Sequence, residues 1–311
     1  MAQPVTLESD SLRVEVWPQF GGKVSSVVDK ADEFELIFTY PAELPSGPRY
    51  DSPYGKGWYA GWDECFPAVA PGTYDRHPYA GVHVPDHGEL WGLPTISVPA
   101  KGGITTVWHG LRFGYRLTRK LSLDPDAAAL TADYTLVNLA PFEFHFVWAM
   151  HSLMAMTAPV ELSLGGDDGA SGRAGEGASP AFRWSHDADG TDIQSPFDWP
   201  MAAEGVDLSR PDGLPPRQGW KVFSAGAITG PATVRYPSRS RSLRIEYASS
   251  DGMPAYWGVW INTGGWAGHR HFAVEPTTGR FDQIDRAIND HSAGRAAPLG
   301  RRDWSVRWVL G

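Results

Sequence analysis

The segment Phe142-Glu143-Phe144-His145-Phe146-Val147-Trp148-Ala149-Met150-His151 alternates without a break. Phe142, Phe144, Phe146, Trp148 and Met150 fall on one side, and Glu143, His145, Val147, Ala149 and His151 on the other. Successive side chains of a pleated strand point to opposite faces, so this period of two predicts a half-buried strand. The same pattern recurs outward in both directions. Leu12, Val14 and Val16 share a face, as do Leu130, Ala132, Tyr134 and Leu136. Leu243, Ile245 and Tyr247 alternate with Arg244 and Glu246, and Trp304, Val306 and Trp308 close the chain. Many alternating strands separated by turn residues predict an all-β sandwich or barrel. Helical spacing is scarce; Phe281, Ile284 and Ile288 predict one turn of helix beside a strand.

Composition agrees with that architecture. Thirty-five Gly and 26 Pro among 311 residues imply many turns and few long helices. Hydrophobic residues make up 42% and charged residues only 20%, enough to fill a core and too little charge for a disordered chain. From about Gly165 to Gly219 the sequence is rich in Gly, Ala, Ser, Asp and Pro but retains Phe182, Trp184, Phe197 and Trp199. This stretch is expected to form long, partly ordered loops set into one domain spanning residues 1–311. A net charge of −9 argues against nucleic acid or an anionic membrane as partner, since both call for a basic surface. The single cysteine, Cys65, leaves no intramolecular disulfide and is read as a small core residue. Residues Met1 to Asp10 lack a basic start followed by an apolar run, and no apolar run is long enough to span a bilayer. A soluble, cytoplasmic protein is the expectation.

The sequence contains no His-Glu-x-x-His, Gly-x-Ser-x-Gly, phosphate-loop or dinucleotide fingerprint. His269 and His271 alternate on a strand around Arg270 without a third ligand in register, and no metal is expected. Asp187-Ala188-Asp189-Gly190-Thr191-Asp192 lacks the terminal glutamate of a calcium loop and reads as a solvated turn. Arg112, Arg116 and Arg119 read as a solvated strand face.

Three segments place ionisable groups beside Trp, Gly and Pro at strand ends, where sites are commonly built. The first is Gly61-Trp62-Asp63-Glu64-Cys65-Phe66-Pro67 with Asp86-His87-Gly88-Glu89-Leu90-Trp91-Gly92. The second is Trp148-Ala149-Met150-His151, and the third Ala273-Val274-Glu275-Pro276-Thr277-Thr278-Gly279. Each residue has a structural alternative. His151 could be a packed, hydrogen-bonded histidine, and Glu275 could sit in an ion pair with Arg280. Asp63 and Glu64, near Trp58, Trp62 and Trp91, would suit sugar hydroxyls, and Asp63 would also suit a turn cap. Trp carries a flat apolar face and one N–H donor, a surface on which sugar rings stack; for any single Trp, packing in the β core is the plainer role.

Taken in order, these segments resemble the aldose 1-epimerase (galactose mutarotase-like) superfamily. Gly21-Gly22-Lys23 resembles its turn after the first strand, His87-Gly88 its His-Gly motif and His151 its second histidine. Glu275-Pro276, followed by Phe281 to Asn289, is similar to its C-terminal glutamate segment, and Tyr256 to Gly265 resembles the strand that leads into the glutamate. The resemblance runs from about residue 10 to the C-terminus. It implies a large antiparallel β supersandwich and an enzyme that interconverts sugar anomers without a cofactor. In that reading Glu275 is the general base, His151 the general acid and His87 a substrate-binding histidine, with Asp63, Glu64, Trp62 and Trp91 also toward the sugar.

The chain departs from the family pattern after His87-Gly88, where Glu89-Leu90-Trp91-Gly92 replaces an arginine. It departs again at Trp62-Asp63-Glu64, which stands where another arginine is common, and the usual Asn before the second histidine is absent. These departures suggest a divergent branch with its own substrate, one whose hydroxyls pair with Asp63 or Glu64. A carbohydrate-binding or sensing protein without turnover, or another isomerase or lyase on the same scaffold, are the competing readings.

Overall fold

The computed structural model describes residues 3–40, 50–165, 181–187 (as backbone) and 196–311. Two large antiparallel sheets dominate it, one of 12 strands and one of eight. Six strands of the larger sheet carry the site: β1 (Lys23–Asp29), β2 (Trp62–Cys65), β3 (Ala149–Ser152), β4 (Gly219–Ser224), β5 (Tyr256–Thr263) and β6 (Arg270–Thr277). Their spatial order is β1-β2-β3-β6-β5-β4. The eight-stranded sheet runs Glu161–Leu164, Ala232–Tyr236, Arg241–Ser249, Arg301–Leu310, Ala129–Asn138, Tyr115–Leu123, Gly103–His109 and Ile96–Ala100. A short helix, α1 (Ile284–Asn289), follows β6 and buries Ile284, Ala287 and Ile288. The expected turn of helix lies there.

The decisive segment is two strands. Phe144–Phe146 pairs with Gly294–Ala296 in a separate two-stranded sheet, and Ala149–Ser152 joins the large sheet between β2 and β6. Phe142 is left 43% exposed, while Val147 and Ala149 on the nominally opposite side are buried. Alternation predicted the pleat, but this sheet is covered on both faces at this point, so polarity no longer marks the inner side.

One face of the large sheet meets the eight-stranded sheet through aromatic rings. Trp62 stacks on Trp308 with centroids 5.4 Å apart, and Trp148, just before β3, meets the Tyr134 and Trp304 rings at 4.8 and 5.1 Å. Full burial of such a side chain stabilises by roughly 1.5–3 kcal/mol, so this layer is a major part of the core. Glu64 lies within it, fully buried. It accepts hydrogen bonds from Trp62 Nε1 (2.9 Å), Arg119 Nη1 (2.9 Å), Tyr134 Oη (2.9 Å) and Trp148 Nε1 (2.8 Å). Arg119, read from sequence as solvated, is 0% exposed and ion-paired to Glu64. Its neighbours on the inner face of Tyr115–Leu123 are apolar, so the arginine had to bring its own carboxylate partner.

The 165–219 stretch holds more strand than its composition suggests. Ala181–Asp187 pairs with β4, and Phe197–Asp198 pairs with Ala181–Asp187. Most of the calcium-like run ending at Asp192 lies outside the described residues. Among the described residues no helix is long and apolar enough to cross a membrane.

Candidate active site

The other face of the large sheet gathers ionisable side chains. His151 on β3 is in register with Asp63 on β2. β3 and β6 pair through Ala149 and Thr277, so two residues along, His151 stands beside Glu275. Register partners in antiparallel strands share a face. Asp63, His151 and Glu275 therefore form a row across three adjacent strands, although they are far apart in the chain. The same alternation turns Trp62 and Glu64 the other way, into the core between the sheets. Their expected place beside a sugar is corrected by the pleat: residues adjacent to Asp63 in sequence cannot share its face.

His151 Nε2 lies 3.7 Å from Glu275 Oε1. Glu275 is fully buried and His151 nearly so, at 6% exposure. The second oxygen of Glu275, Oε2, takes the Lys221 ammonium, whose other carboxylate is Asp282 at 3.7 Å. The ion-pair partner weighed from sequence, Arg280, is bonded instead to Asp290. Lys23 pairs with Asp63 and also donates to Ala60 O. The Tyr54 hydroxyl lies 2.8 Å from Asp63 Oδ2 and 3.4 Å from His151 Nδ1, which joins the two halves of the cluster.

His87 reaches the cluster from a tight turn. Its φ is +57° and that of Gly88 is +76°. A Cβ at Gly88 would stand 2.1 Å from the Phe66 carbonyl oxygen, so only glycine lets this turn press on the strand end after β2. The His87 ring stacks on Tyr54 at 3.8 Å and meets the His151 ring edge-on at 4.9 Å. Asp86 orients both neighbours, through His87 Nδ1 (2.8 Å) and the Tyr54 N–H (2.9 Å). Trp91 is buried behind Tyr54, edge to ring at 5.1 Å, with its indole N–H on Asp86 O. It backs Tyr54 and does not join the row of ionisable groups.

Burial holds the His151 imidazole well below the usual histidine range, and the nearby His87 and Lys221 push it further down. Burial raises the Glu275 carboxyl, with Lys221 opposing and Asp282 adding. Burial alone would lower Lys221, but Asp282 and Glu275 outweigh it and the ammonium is held above its ordinary value. Burial lowers Lys23 despite Asp63 and pushes the Cys65 thiol well up, consistent with an inert core cysteine. Asp63 Oδ1 and Glu275 Oε1 are among the buried carboxylate oxygens without a hydrogen-bond donor, as is Asp282 Oδ1.

His269 stacks on Tyr40, and His271 Nε2 accepts the Trp260 indole N–H at 3.2 Å. No group of three or more His, Cys, Asp or Glu suited to a metal occurs among the described residues.

Tyr54, Lys221 and Asp282 escaped the sequence reading. Lys221 left a usable signal: it sits between Trp220 and Val222 on one side and shares its face with Phe223, so the strand is apolar on both faces. A lysine there must be buried and needs a carboxylate.

No family model matches the sequence, and no curated protein matches it significantly. Solved structures do match over essentially the full length. The chain is similar to a protein of Synechocystis sp. PCC 6803 at 14% identity and TM-score 0.73, covering 100% of this chain and 96% of that one. It is similar to a galactose mutarotase-like protein from Lactobacillus casei at 18% identity and TM-score 0.68, covering 99% and 100%. A galactose 1-epimerase from Lactobacillus acidophilus NCFM matches at 11% identity and TM-score 0.61, covering 99% and 94%. The chain has the galactose mutarotase-like fold, in a divergent sequence.

Proposed function

We propose that the protein is an aldose 1-epimerase-like enzyme that interconverts the anomers of a free sugar by opening and reclosing its ring. The observation that carries this reading is the buried His151–Glu275 pair, 3.7 Å apart on one sheet face with Asp63 beside it. Ring opening takes a proton from the C1 hydroxyl and gives one to the ring oxygen. The sugar is neither oxidised nor reduced, so the step needs no cofactor. C1 becomes an aldehyde, rotates, and is attacked again on the other face.

Proton balance fixes what the pair must hold. One group accepts as the other donates, so the active form carries one proton between them. Glu275 as carboxylate with protonated His151, and neutral Glu275 with neutral His151, are the two ends of each half-reaction. A lowered histidine and a raised carboxyl bring these two states together in energy, which suits transfer in both directions. Asp63 Oδ1, left open while Lys23 takes Oδ2, accepts a ring hydroxyl, and His87, on the less buried edge of the cluster, contacts another. Polarimetry on a panel of freshly dissolved aldoses tests the reading. Rotation should relax faster with the protein than in buffer for at least one sugar, and Glu275→Gln should abolish the difference. A protein that binds a sugar saturably and leaves its relaxation at the buffer rate would instead be a carbohydrate-binding module.

A further inference from the structure

Glu275 and Lys221 are separated by a whole strand. The residue of β5 in register with Glu275 is Gly258, whose partner on β4 is Phe223. Lys221 is two residues from Phe223, on the same face, opposite Trp260. A side chain at position 258 would fill the space between them: a Cβ there would stand 3.3 Å from Glu275 Oε2 and 3.2 Å from the Phe223 ring. The bare backbone of Gly258 is the gap through which the ammonium reaches the carboxylate. Once bound, Lys221 occupies Oε2 and leaves Oε1 turned toward His151.

From this geometry we infer that Lys221 is a positioning residue for the acid–base pair, fixing which oxygen of Glu275 works and setting the pH range in which the pair holds one proton. The inference rests on the acid–base reading of His151 and Glu275. A carboxyl with no exposure favours its neutral form, and a cation in contact offsets that. The same cation disfavours a proton on His151, and Lys221 is among the groups that lower it. Lys221 thus acts on both members in one direction, toward proton release. The other ionisable groups around Glu275 are Asp282, His87, Cys65 and Tyr54. His271 and Lys23 also act on His151, and Asp63 flanks it. Of all these, Lys221 is the one cation in hydrogen-bond contact with the working carboxylate.

Lys221→Met and Lys221→Gln, the latter keeping a hydrogen-bond donor if the methionine variant fails to fold, remove the charge. An opposite charge at contact shifts a partner by about 1–3 units, so both limbs of the kcat–pH profile should move up by about 1–3 units. KM should change by less than about twofold if the sugar binds elsewhere in the cluster. Lys221→Arg, which keeps the charge, should restore most of the wild-type profile. Independently of turnover, the His151 imidazole titration followed by NMR should move up in both uncharged variants. A kcat–pH profile that scales down without moving, or a His151 titration that stays in place, overturns the assignment. A wild-type protein that exchanges no sugar's anomers would refute the acid–base reading, while the NMR titration would still decide whether Lys221 governs the pair.

Discussion

Replacing Glu64 by glutamine keeps the side chain's size and removes its charge, which isolates electrostatics from packing. In the native protein its two oxygens take four donors, and every donor residue is buried. Oε1 accepts Trp62, Arg119 and Tyr134, and Oε2 accepts Trp148. A glutamine has one acceptor oxygen and one NH2 group. With its oxygen in the Oε1 place, the NH2 faces the Trp148 indole N–H; flipped, it faces three donors. At least one buried donor is orphaned, at about 1–3 kcal/mol, and the Arg119 guanidinium loses its counterion. Breaking one side of a buried ion pair costs about 3–5 kcal/mol; the two effects overlap, so about 3–5 kcal/mol is the expected loss. Against a total of about 5–15 kcal/mol for a native protein, that is a large fraction. Urea unfolding followed by tryptophan emission reads it, with the m-value unchanged. A loss below about 1 kcal/mol, the range of an exposed pair such as Arg239–Asp32, would refute the claim that this carboxylate anchors the contact between the sheets.

Three further outcomes follow from the same geometry. His151→Gln should slow anomer exchange by about 10²–10⁴-fold while calorimetry still detects sugar binding; unchanged exchange would remove His151 from the reaction. Asp63→Asn, which leaves Lys23 buried without its carboxylate, should cost about 3–5 kcal/mol, and the double change Asp63→Leu with Lys23→Met should regain stability but not sugar affinity. Burial, and then His269, hold His271 down to about 3, whereas an unfolded histidine titrates near 6.5. The unfolded chain therefore takes up this proton first, so the stability is fully present above about pH 6.5 and is lost as pH falls toward 3, at about 1.4 kcal/mol per unit. His271→Gln should shrink the loss between pH 6.5 and 5 by about 2 kcal/mol, and an equal loss of unfolding free energy between the two pH values in wild type and variant, read from urea titrations, would contradict it.

The sheet framework was legible because strands announce themselves locally. Leu130, Ala132, Tyr134 and Leu136 alternate in sequence and are buried together on one face of Ala129–Asn138. The row of Asp63, His151 and Glu275 was half legible. Each residue stood out beside Trp, Gly or Pro, and the ordered set resembled a family, but their meeting depends on strand order and register, which are non-local. Glu64 and Trp62 were assigned by proximity in sequence to Asp63, and the pleat separated them. Lys221 and Gly258 went unread because neither means anything alone. The glycine matters only as the absence of a side chain between two residues on strands that flank it.

Saturation-transfer NMR between the two anomeric C1 protons of the best sugar, with wild type and Glu275→Gln at equal concentration, measures the proposed step itself. Exchange that rises with wild-type concentration and vanishes in the variant is the predicted result. Exchange that persists undiminished in Glu275→Gln would show that the buried pair does not move the protons.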